Sequence, residues 1–230
     1  MVGSHPPVTP VLPADRTMVP LPRRPLDAGV RPDDHVRRWY ENELGWATVP
    51  AARENPGEKR GNPGEDTGFP VRLRIGDRFD VLDVPAEAGR AGLRHLLPGS
   101  PVALQGERMR LLVAAGSAEE LPGLLDWLEW GVPALDLTAL GEGTLMDAPP
   151  PPGRPDAAQG AAVWLRPPEP GCEVEASLPT MSAVGGVGGA PDLVRLVDTV
   201  ATQCHRLRLR RKGAQPPAFP LASDQALAFS

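Results

Sequence analysis

Three aspartates carry the chemistry this sequence could perform. Asp80 and Asp83 fall in or at the end of FDVLDV (79–84), and Asp136 falls in PALDL (133–137). Both runs read as strands. If these strands are neighbours in one sheet, Asp83 and Asp136 approach each other. Acids paired across adjacent strands can hold a divalent metal ion and, through it, a nucleoside triphosphate. The competing reading is solubilising or turn-capping aspartates, and spacing alone does not separate the two. Asp80 is three residues from Asp83, so strand alternation sends it to the opposite face.

Other candidates carry less. Cys172, Cys204 and His205 match no zinc spacing. Cys204 lies on an apolar helical stripe, where a thiol acts as a small hydrophobe. His5, His35, His95 and His205 lie on a tail or on helices, and none sits in a loop with supporting acids. VGGVGG (184–189) has no strand before it and no following Gly-Lys-Ser/Thr, so it reads as a joint rather than a phosphate loop.

The elements that must position the aspartates follow from pattern. DDHVRRWYENEL (33–44) predicts a helix with Val36, Trp39, Tyr40 and Leu44 on one face, ended by Gly45, and WATVP (46–50) a short strand. VRLRI (71–75), Gly76-Asp77 and 79–84 read as strand, turn, strand. A helix over 87–97 leads to a hairpin of 101–104 and 109–115. Ser117 and Glu120 form a capping box for a helix over 117–130, whose Trp127 and Trp130 should face the core. The strand 133–137 follows, then a Gly-Glu-Gly turn into a further short strand, and 161–166 adds one more. From 79 to 137 the order is β-α-β-β-α-β, so the expected fold is α/β (α+β) with a ferredoxin-like core.

The helix over 191–212 has an apolar stripe, Leu193, Val197, Val200, Cys204 and Leu207, opposite Asp198, Thr199, Gln203 and Arg206. Arg206, Arg208, Arg210, Arg211 and Lys212 suit its C-terminal end. Its arginines are also candidate contacts for nucleic acid or a partner protein.

Composition sets the outer limits. The chain has 230 residues, 41% of them hydrophobic, with 25 Gly and 30 Pro. An ordered core with loose ends fits these figures. The expected division is a disordered tail (1–32), an α/β domain (33–166), a Pro/Gly-rich linker (167–190), an amphipathic helix (191–212) and a second tail (213–230). The only lysines are Lys59 and Lys212, and arginine, alanine and proline abound, as in a high-GC bacterium. A net charge of −5 argues against a general nucleic-acid coat. Two cysteines, the lack of a signal peptide and the lack of a membrane-length apolar run point to the cytoplasm.

Three segments together resemble a known family. FDVLDVPAEAGRAGLRHL, QGERMRLLV and LDLTALGEGTLMDAPP are similar to the N-terminal domain of bifunctional DNA primase/polymerases (prim-pol), within the archaeo-eukaryotic primase superfamily. WYENELGWATVP resembles the family's opening helix, Gly-Trp and strand. The resemblance spans about residues 35–166 and is nearest to short, stand-alone members. It implies a metal-dependent nucleotidyl transferase, with Mg²⁺ or Mn²⁺ on Asp83 and Asp136. The departures are specific. The family's first motif has two acids two residues apart, and Asp83 aligns with the first while Pro85 replaces the second. The motif's histidine falls near Arg108 or Met109. Two carboxylates are a thin set for two metal ions. The resulting expectation is a degenerate prim-pol-like protein with a regulatory or protein-interaction role, no expected cofactor, and a partner protein or a second copy as its target. The alternatives are an active primase/polymerase or a nucleic-acid-binding module.

Overall fold

The computed structural model describes residues 32–50, 71–131, 134–153, 161–181 and 191–214. The expected tails and the joint at 184–190 lie outside them, save for residues at their inner edges.

Strand β3 (Phe79–Pro85) sits inside a five-stranded sheet and is buried along nearly its whole length. Its alternation feeds two cores. Phe79 and Val81 face one side, Leu82 and Val84 the other. After β3 come α2 (Ala86–Gly92), β4 (Val102–Gln105), β5 (Arg108–Ala114), α3 (Ser117–Trp127) and β6 (Thr138–Leu140). The sheet order is β6-β3-β5-β4, extended past β4 by β8 (Val163–Arg166), and every pairing is antiparallel. Each βαβ unit therefore has another strand between its two strands, the split βαβ arrangement of an α+β fold.

The strand next to β3 is 138–140, not 133–137. Residues 134–137 are an irregular approach to it. Strand β2 (Val71–Arg74) does not form a hairpin with β3. It pairs with β1 (Thr48–Pro50) and with β7 (Leu145–Asp147) in a separate three-stranded sheet. The turn between β2 and β3 thus carries the chain from one sheet to the other.

That small sheet and an aromatic cluster cover the Phe79 face. Helix α1 (Pro32–Arg38) runs into a π-helical turn at Trp39–Glu43, which buries Trp39 and Tyr40. Tyr40 donates to the Pro149 carbonyl at 2.6 Å and accepts from Trp164 Nε1 at 3.0 Å, so its buried hydroxyl is satisfied. Val174 and Leu178 join this core, so residues 174–178, expected within a linker, are packed structure.

Helices cover the Leu82 face. α4 (Leu193–Ala214) buries Leu193, Leu196, Val197, Val200 and Cys204 there. The stripe, for which packing on its own core and docking on a partner were both open, is satisfied within the same core, and each large aliphatic contributes about 1.5–3 kcal/mol. Gly92 permits the close approach of α2 and α4, since a Cβ there would lie 2.9 Å from Leu196 Cδ1. Thr199, expected to face outward, is buried and bonds His95 at 2.8 Å.

Helix α3 stops at Trp127 because Glu129 takes a left-handed conformation (φ 63°). Trp127 is 73% exposed, contrary to the expected burial, and Trp130 is half-buried against His205. Ser117 makes no capping bond at the start of the helix. Asp80, from the neighbouring strand, accepts from Ala118 N at 2.8 Å instead.

Candidate functional site

The β3–β5 register sets Asp83 opposite Arg110 and Pro85 opposite Arg108. Period-two alternation then puts Asp83, Arg108 and Arg110 on one face of the sheet, in line with Phe79 and Val81. β6 begins with Thr138 opposite Asp83, which brings the preceding Asp136 to the same end of the sheet. Two expectations for the acids meet here: Asp83 and Asp136 converge on Arg108, and Asp80 points the other way.

A guanidinium fills the space between the two acids. Arg108 Nε donates to Asp83 Oδ1 at 2.5 Å, Nη2 donates to the Asp83 carbonyl at 2.9 Å, and Nη1 donates to Asp136 Oδ1. Arg110 Nε takes the remaining Asp83 oxygen at 3.2 Å. Arg211 lies 3.5 Å from the remaining Asp136 oxygen. Partial burial opposes the charge on Arg108, but its bonds to Asp83 and Asp136 outweigh this and hold its pKa above the ordinary arginine value.

Two carboxylates crowded by three arginines do not fit a two-metal centre. Among the described residues no group of three or more His, Cys, Asp or Glu could hold a metal ion. An ion between Asp83 and Asp136 would have to displace Arg108 from both.

Asp80 is buried and serves the fold. Burial raises its pKa, the Ala118 and Gly116 backbone N–H groups pull it down, and Glu119 adds a smaller upward push. Cys204 is also inert: burial, reinforced by Asp136, lifts its thiol pKa to about 11. Cys172 is exposed and distant in the chain. His95 is engaged with Thr199 and Arg94 between α2 and α4.

Beside Asp136 lies a cleft of about 360 Å³, where the end of β3 meets the last turns of α4. Pro85, Cys204 and Leu207 line it with Arg208, Arg211 and Lys212. The candidate arginines therefore separate. Arg208 and Arg211 reach the cleft, Arg210 pairs with Glu87 of α2 at 2.7 Å, and Arg206 is exposed elsewhere.

Comparison with family models, curated proteins and solved structures finds no match to this chain.

Arg108 was legible in the sequence only as one of two residues, with Met109, near which the resemblance would place a histidine. Its role as counter-ion has one sequence signal: Arg108 and Arg110 are two apart on a strand, so both face the partner strand's acid once the register is known. Among the described residues, no helix is long and apolar enough to cross a membrane.

Proposed function

We propose that this chain is a prim-pol-like domain without nucleotidyl-transferase activity, acting as a regulatory or interaction module. One observation supports this most directly: the Arg108 guanidinium binds both Asp83 and Asp136. In a transferase of this kind those acids would hold metal ions that align and neutralise the reacting phosphates. Here a side chain of the protein itself supplies the cation. A guanidinium neutralises carboxylates through a fixed fork of donors, but it offers no open coordination position. Pro85, opposite Arg108, removes the acid that would otherwise complete the pair.

The test is primer synthesis and primer extension with nucleoside triphosphates and Mg²⁺ or Mn²⁺. The expected result is no product. Synthesis that is abolished by Asp83→Ala and by Asp136→Ala would overturn the reading and make the chain an active primase/polymerase.

A further inference from the structure

The charged end of α4 is largely exposed, with Arg211 66% exposed, but one side of it borders the cleft. The helix docks through Val197, Val200 and Cys204, and that same face continues at three- and four-residue steps into Leu207, Arg208, Arg211 and Lys212. The stripe changes from apolar to cationic where it borders the cleft. Cations that only offset the helix dipole or aid solubility have no need of this face. Arg208 is half-buried there.

The charges in the cleft do not balance. Asp136 is the one carboxylate among the lining residues, and Arg108 already binds it. Arg211 shares it at 3.5 Å. Among the described residues, no carboxylate lies within ion-pair distance of Arg208 or Lys212. This local positive excess stands on a chain of net charge −5. Pro85, Cys204 and Leu207 add an apolar wall, and the volume of about 360 Å³ suits a small molecule.

We infer that the cleft binds a small organic phosphate, its phosphate on Arg208, Arg211 and Lys212 and its apolar body against Pro85 and Leu207. No metal ion takes part. The inference rests on the reading that Asp83 and Asp136 are held by arginine rather than by metal. It makes the domain a ligand-responsive module, because the ligand would join the end of α4 to the end of β3.

The experiment is calorimetric titration of the full-length protein in EDTA. The probes are adenosine 5′-monophosphate, phenyl phosphate, inorganic phosphate and a single-stranded DNA without terminal phosphates. The expected result is saturable binding of both organic phosphates, tighter than inorganic phosphate and weakened by added salt. Arg208→Ala/Lys212→Ala should weaken it at least tenfold, whereas the charge-matched Arg206→Ala/Arg210→Ala should change it less than twofold. Circular dichroism melting confirms that each variant is folded, and Arg208→Gln alone replaces the double variant if that one is not. Failure of both organic phosphates to bind overturns the inference. So does equal binding of inorganic phosphate, binding of DNA alone, or equal loss in the control pair. Primer synthesis run in parallel with Mn²⁺ separates the two readings. Synthesis overturns the proposed function, and absence of both synthesis and binding overturns only this inference.

Discussion

Arg108 holds Asp83 twice, by its carboxylate and by its own backbone carbonyl. The second bond matters because it fixes the guanidinium to the strand as well as to the side chain. Arg108→Met keeps the stem and removes the fork. Asp83 retains Arg110, whereas Asp136 retains only the longer contact to Arg211. The expected loss is about 1–2 kcal/mol in urea unfolding at pH 7, because the groups are partly exposed. An unchanged urea midpoint would show that the bridge contributes nothing to stability.

Asp80 predicts a pH dependence. Its folded-state pKa is raised above the unfolded value, chiefly by burial. The folded state therefore holds this proton more tightly, and stability falls as pH rises from about 4 through the folded pKa. Asp80→Asn retains an acceptor for Ala118 N without the charge. It should be at least as stable as the native chain at pH 7 and should flatten the pH profile above about 4. Asp80→Ala removes the acceptor and should cost about 1–2 kcal/mol. Urea midpoints across pH 4–7 (about the range set by the ordinary carboxylate pKa) test both variants.

His95 titrates within the α2–α4 contact. Burial, then the adjacent Arg94 and Arg195, lower its pKa, and Asp192 and Asp198 oppose them less strongly. The neutral ring is the folded form. Its contribution is intact above about pH 6.5 and is lost as pH falls toward the lower folded value. The ring-proton shift of His95 followed by NMR should titrate below the unfolded reference. A titration above it would contradict the contact with Arg94.

Buried and exposed apolar side chains predict a contrast in stability. Val197→Asp buries an unpaired charge among fully buried neighbours and should cost several kcal/mol, enough to unfold the domain. Trp127, mostly exposed, should tolerate Trp127→Ala within about 0.5 kcal/mol. Trp46→Ala, from the aromatic core, should cost about 3–5 kcal/mol. Thermal melts of the three variants check the ranking. A folded, monomeric Val197→Asp would remove α4 from the core.

The strand and helix order from 79 to 114 was legible in the sequence because each element carries its own period and its own turn residues. The opposite facing of Asp80 and Asp83 was legible for the same reason: an odd spacing on a strand has only one geometric outcome. The stripe of α4 likewise announced that a face would be buried.

What covered that stripe was not legible, since periodicity says that a face is apolar but not which surface meets it. Nor was the partner of β2, because a tight turn between two strands looks the same whether they pair with each other or enter different sheets. The burial of Trp127 failed as an expectation because the core-facing stripe of α3 runs through Leu121, Leu124, Leu125 and Leu128, and Trp127 lies off it. Ser117 matched a capping motif, yet a carboxylate distant in sequence took the site. Most of all, the tie between Arg108, Asp83 and Asp136 depends on the β3–β5 register and on the loop before β6. Sequence spacing determines which side chains share a face. Only the tertiary structure brings three chain segments close enough for one guanidinium to neutralise two acids, because electrostatic contact depends on distances between segments that no local pattern encodes.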